Sequence, residues 1–179
     1  MTSSADSLLM KKICMLGSYA VGKTSLVKRF VEGVFGDRYL TTVGAKIDRK
    51  RVTVAGTTMH LVLWDLAGDN GPVEPRLSHL RGAAGYILVA DGCRLMTAER
   101  AIAIQQRAIS ISGPVPVVVA LNKADLQSDW QIGPTEIQKL KQNGWPCVYT
   151  SAKTGDGVEE LFLDLAGMIL AEMNECTGS

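Results

Sequence analysis

A chain of 179 residues with 19 Lys plus Arg against 18 Asp plus Glu has one domain's worth of sequence and a formal net charge of +1. At 46% apolar and 21% charged it has the composition of a globular protein with a core, and its balanced charge excludes broad attraction to nucleic acid or to an anionic membrane. Cys14, Cys93, Cys147 and Cys176 show no C-x-x-C spacing, the opening residues are polar, and no apolar run approaches the roughly eighteen residues of a membrane span. A soluble, cytoplasmic protein with reduced thiols is expected. Cys14 and Cys147, each in apolar surroundings, read as buried packing residues.

In chain order, short apolar runs alternate with stretches of helical period, the pattern of βαβ units around a mostly parallel sheet. A strand is predicted over 11–16 and a helix after Lys23. The segment 46–54 is predicted to pair with 59–64 through a turn at Ala55-Gly56, as an antiparallel edge hairpin. Its basic run Lys46-Ile47-Asp48-Arg49-Lys50-Arg51 suits a solvated edge that resists sheet-to-sheet association. Strands over 86–90, 115–121 and 147–149 follow, with helices after Thr97 and from Pro134, the latter stopped by Gly144. The run 115–121 is apolar on both faces, as an interior parallel strand should be. After Gly157, Val158, Leu161, Phe162, Leu165 and Ile169 recur at helical spacing.

Gly17-Ser18-Tyr19-Ala20-Val21-Gly22-Lys23-Thr24 matches G-x-x-x-x-G-K-[ST] at a strand-to-helix junction. Glycines let successive N–H groups turn inward onto phosphate oxygens, Lys23 supplies a point charge, and the Thr24 hydroxyl suits Mg²⁺. A nucleoside triphosphate is the implied ligand. Trp64-Asp65-Leu66-Ala67-Gly68 ends a strand in a carboxylate placed for Mg²⁺ and a glycine N–H placed for a terminal phosphate. Asn122-Lys123-Ala124-Asp125 leaves the carboxyl end of the most buried strand, where open α/β sheets bind ligands. There Asp125 can accept two hydrogen bonds from guanine that adenine cannot offer.

Together these residues resemble the Ras superfamily of small GTPases, whose five guanine-nucleotide motifs appear in order as Gly17 to Thr24, Thr42, Asp65 to Gly68, Asn122 to Asp125, and Thr150-Ser151-Ala152-Lys153. The resemblance implies a three-layer P-loop NTPase fold over 11–173, with a mostly parallel six-stranded sheet, one antiparallel edge strand and helices on both faces. Residues 1–10 are then expected to be a flexible leader and 174–179 a short tail. It also implies GTP, GDP and Mg²⁺ as ligands. Thr24, Thr42 and Asp65 would hold the metal, with Lys23, Thr42, Gly68 and Asp69 at the reacting phosphate. Nucleotide contacts would come from Gly17, Tyr19, Ala20, Val21, Gly22, Ser25 and Lys123 as well. Phe35 would pack against guanine, Tyr39 close over the phosphates, and the Ala152 N–H meet the guanine carbonyl, between Ser151 and Lys153. Thr42-Val43-Gly44, Trp64 and Arg81-Gly82-Ala83 look most like the Rab branch, although Ile47 and His79 stand where Rab proteins usually carry aromatics.

Two departures bear on chemistry. Asp69 occupies the position of the family's water-orienting glutamine, and an anion there repels the γ-phosphate and lacks an amide donor, so slow hydrolysis is expected. Tyr19 replaces a small P-loop residue, and its phenol either lies over the γ-phosphate, where an activator's arginine finger would enter, or packs on switch II. Pro72 and Pro75 disfavour regular helix there until about Arg76. Arg38 or Arg76 would be the cations available in cis. The implied function is a GTP/GDP switch presenting switch I and II to protein partners, with a permanently loaded, non-cycling GTP-binding module as the rival. Cys176 sits fourth from the end, but Thr177 and Gly178 do not resemble a prenylation signal, so no stable membrane anchor is expected.

Overall fold

The computed structural model describes residues 9–36, 42–69 and 76–177, and Arg38 and Tyr39 lie outside them. Among these residues, β1 (Met10–Gly17) runs through the middle of a six-stranded sheet. It is parallel to β3 (Thr57–Leu66) on one side and β4 (Gly85–Asp91) on the other. Beyond β4 lie β5 (Val117–Asn122) and β6 (Cys147–Thr150), both parallel, while β2 (Ala45–Val54) pairs antiparallel with β3 at the opposite edge. Every residue of β4 and β5 is buried, as strands covered on both faces require. The antiparallel pair closes Val54 against Thr57, with Ala55 at φ 47° and Gly56 at φ 79°. Two left-handed residues match the twist of a two-residue hairpin, which is why the pairing extends past 59–64 at both ends.

The alternation of side chains along β1 divides the core. Ile13 and Met15 face α1 (Lys23–Glu32) and α4 (Val158–Thr177), and Cys14 and Leu16 face α2 (Leu95–Ser112) and α3 (Pro134–Gln142). On the first side Phe30 and Phe162 stack with ring centroids 4.0 Å apart, joining α1 to α4. The α4 stripe read from the sequence, Val158, Leu161, Phe162, Leu165 and Ile169, is buried there. Gly144, at φ 78°, follows the end of α3.

Three expectations shift. Val115 and Pro116 fall before β5 because proline has no N–H for the ladder; the Pro116 carbonyl still accepts from the Tyr86 N–H at 2.9 Å. The second long helix starts at Leu95, so Thr97 lies in its first turn, where its hydroxyl donates to the Arg94 carbonyl. Cys147 is only half-buried, being on the edge strand, whereas Cys14 is fully buried and desolvation pushes its thiol up to about 12. No helix among the described residues is long and apolar enough to cross a membrane.

Phe162→Ala removes half of the stacked pair from a position with no solvent exposure. It should lower unfolding stability by about 3–5 kcal/mol, read as a lower urea midpoint with unchanged slope.

Candidate nucleotide-binding site

The carboxyl ends of β1, β3 and β5 and the loop after β6 surround a cavity of about 620 Å³, within the range of nucleotide-sized ligand pockets. Its floor is the loop from β1 into α1. Tyr19, Ala20, Gly22, Lys23, Thr24 and Ser25 line it, with Ala20 and Gly22 in positive-φ conformations that turn the backbone inward. Gly22 is required for space as well as conformation, since a Cβ there would lie 2.3 Å from Asn122 Nδ2. That amide donates to the Val21 carbonyl at 2.9 Å, tying the loop to the end of β5. Gly17 and Val21 shape the loop from behind rather than lining the cavity.

Lys23 is buried at the first turn of α1, and its Nζ donates to the carbonyls of Gly17 and Ser18 at 3.1 and 3.0 Å. Burial pulls its ammonium down to about 8, against the opposing pull of Asp65 and Asp69. Beside it, the Thr24 hydroxyl donates to Asp65 Oδ2 at 2.5 Å and lies 2.9 Å from the Thr42 hydroxyl. Thr42 Oγ1 is itself 3.3 Å from the same carboxylate oxygen. Asp65 is fully buried, desolvation raises its carboxyl above the usual range, and its Oδ1 has no protein hydrogen-bond partner. Two hydroxyls and a carboxylate with an unengaged buried oxygen fit a hard divalent cation such as Mg²⁺.

At the far end of the cavity, Asn122 Oδ1 accepts from the Thr150 hydroxyl at 3.3 Å and the Ala152 N–H at 3.4 Å. Ser151 does not line the cavity; its hydroxyl donates to Asp125 Oδ1 at 2.6 Å and so orients the carboxylate that does. Lys123, at φ 69°, swings its ammonium 2.6 Å from Asp91 Oδ2, and Phe35, Ala152 and Lys153 form the surrounding walls.

A sequence model described as the Ras family matches residues 12–171. The chain is 37% identical to the Ras-related protein Rab-5A of Dictyostelium discoideum over 164 residues, covering 90% of this chain and 81% of that protein. It is 31% identical to Rab-4 of the same organism, with 93% and 82% covered, and 32% identical to human Rab-21, with 86% and 69% covered. The chain belongs to the Ras family. Within it, the chain is a Rab-like small GTPase with the small G-domain fold.

Asp69 pairs its backbone with the P-loop, the Tyr19 N–H donating to its carbonyl at 2.8 Å and its own N–H to Gly17 at 3.1 Å. Its carboxylate turns away from the cavity to Arg107 of α2, 2.8 Å distant. Gly68 lines the cavity so close to the P-loop that a Cβ would lie 2.5 Å from Tyr19 Cα. Arg94 donates through Nη2 to the Tyr19 carbonyl at 2.9 Å and through Nε to Asp91 Oδ2 at 2.8 Å. Arg76 does not line the nucleotide cavity; it borders a small pocket with Asp69 and Arg107 and a groove with Ile47, Trp64 and His79 that meets the cavity at Val43. In that groove the Trp64 ring is covered by Lys12 Nζ at 3.8 Å and leans on His79.

Sequence reading missed Arg29, Asp91, Arg94 and Arg107, none of which belongs to a phosphate or guanine motif. The one available signal was Asp69, since an acidic residue in place of a neutral amide asks for a cation nearby.

The depressed Lys23 ammonium has a readable consequence. Between about 8 and the ordinary 10.5 the unfolded chain holds more protons, so the empty protein gains stability as pH rises through that window. Phosphate beside Nζ favours the ammonium, so nucleotide binding should take up a proton and weaken across the same window. At about pH 9, calorimetry of GDP binding in buffers of different ionisation enthalpy should show this uptake, and Lys23→Gln should abolish it.

Proposed function

We propose that this protein is a guanine-nucleotide switch that binds GTP and GDP with Mg²⁺, hydrolyses GTP slowly, and presents switch I and II to protein partners. The observation that carries slow turnover is the Asp69–Arg107 pair: the side chain in the water-orienting position is anionic and engaged elsewhere, 2.8 Å from a guanidinium. In this reading Lys23 neutralises the outer phosphates, the inward N–H groups of the P-loop hold the others, and the Gly68 N–H meets the γ-phosphate. Thr24, Thr42 and Asp65 would hold Mg²⁺, which supplies positive charge between the phosphates. Asp125 reads guanine, fixed by the Ser151 hydroxyl, with Lys123 along the base and Phe35 across it.

Attack of water on GTP gives GDP and phosphate, and in this reading the Asp69 side chain does not lower that barrier by orienting the water. In this reading the Tyr19–Asp69 backbone bond gives way to the γ-phosphate, so GTP and GDP states should differ around Asp69 and the groove at Trp64. That difference is what a partner would sense. Tyr19 lines the cavity, and in this reading its phenol takes the space that an activator's arginine finger would use.

Single-turnover hydrolysis on Mg²⁺-replete protein tests the reading. Asp69→Gln should raise the rate by at least about tenfold, because an amide restores a donor to the transition state. Arg107→Ala, which removes the guanidinium but leaves the carboxylate anionic, should not raise it. An unchanged or lower rate in Asp69→Gln would sink the account. Purified wild-type protein holding GTP unchanged over hours would favour the non-cycling module instead.

Tyr19→Gly should leave GDP affinity within about threefold while raising intrinsic GTP turnover or GTP affinity. No change in either would show that the phenol only packs on switch II.

A further inference from the structure

Three carbonyls around one arginine that itself belongs to no recognised motif point to a role in reading the base. Arg29 lies in the last turn of α1 and is half-buried. Its Nε donates to the Ala152 carbonyl at 2.8 Å, Nη2 to the Lys153 carbonyl at 2.5 Å, and Nη1 to the Gly33 carbonyl at 2.9 Å. The first two acceptors belong to the loop after β6, the third to the left-handed residue that ends α1 and leads to Phe35. We propose that Arg29 is a positioning residue for guanine recognition, its guanidinium clamping the loop that presents the Ala152 N–H.

Geometry supports this over a purely stabilising contact. A planar guanidinium has donors in a fixed fork and can satisfy carbonyls of two elements at once, which an ammonium cannot do with the same spacing. Ala152 lines the nucleotide cavity, and its N–H makes a long 3.4 Å contact with Asn122 Oδ1. Arg29 takes the carbonyls of the two following peptide units, at Ala152 and Lys153, and so fixes the backbone immediately beyond that N–H. The Gly33 contact extends the clamp toward the Phe35 wall. The proposal rests on the guanine-binding reading above.

Two probes separate the possibilities: GDP, and the diphosphate of 2,6-diaminopurine riboside, which keeps the 2-amino group but has an amino group in place of the 6-carbonyl and no N1–H; the lost Asp125 contact is common to wild type and variants, so the change in ratio reads the 6-position. Arg29→Met keeps the aliphatic stem and removes all three donors. It should speed GDP release and reduce the preference for GDP over the analogue by about fivefold or more, the scale of one ordinary hydrogen bond to the base. Arg29→Lys should fall between Met and wild type. General weakening of the fold lowers affinity for both probes and leaves their ratio alone, so an unchanged ratio in both variants overturns the proposal. Wild-type protein with no preference for GDP over the analogue would overturn the guanine reading, and the proposal with it.

Discussion

One buried amide, that of Asn122, makes the rest of the site possible. An amide with almost no solvent exposure must find protein partners for its donors and acceptor, and Asn122 spends them on two separate segments: Val21 in the P-loop, and Thr150 at the end of β6 with Ala152 just beyond it. The phosphate cradle and the guanine loop lie 101 and 30 residues away in sequence, yet neither can shift without leaving part of this amide unsatisfied. Leaving one such group unpaired costs about 1–3 kcal/mol, comparable with what a single nucleotide contact supplies. The glycine at position 22 is the counterpart of this constraint, because only a residue without Cβ lets the amide approach.

Near the reacting phosphate the balance is looser. Asp69 is 15% exposed but Arg107 is 51% exposed, so their pair contributes no more than about 1 kcal/mol. The backbone contacts between Asp69 and the P-loop add two ordinary hydrogen bonds. Together these are smaller than the interaction free energy available from a triphosphate, so the segment can be held in place without nucleotide and still give way to it. The P-loop and guanine loops, by contrast, are anchored in the buried ends of β1 and β5.

What could be read directly from the residues was the chemistry that phosphate and guanine demand: glycines and Lys23 at fixed spacing, carboxylates at strand ends, and the apolar strands that aim them. The strand and helix cores were equally legible, because β5 is apolar throughout and α4 keeps a clean stripe. The ends were less so. Pro116 belongs to an apolar run by composition but lacks the N–H that a ladder needs, and Thr97 looks like a helix start while its hydroxyl is used one turn inside. The polar scaffolding stayed hidden for a different reason. Arg29 meets its acceptors 123 and 124 residues away, and Arg94 meets Tyr19 across 75; all these acceptors are backbone carbonyls, which every residue possesses. No side-chain pattern marks such a partner.

The position of Arg29 gives α1 a metric meaning. Lys23 opens this helix at the P-loop, and Arg29 stands six positions on, in its last turn, against the loop after β6. Six residues of helix rise about 9 Å, so the element sets the separation of the two loops like a ruler. Adding or deleting one residue between them would turn everything beyond it by about 100° and carry the guanidinium off its carbonyls while the P-loop end stayed in place.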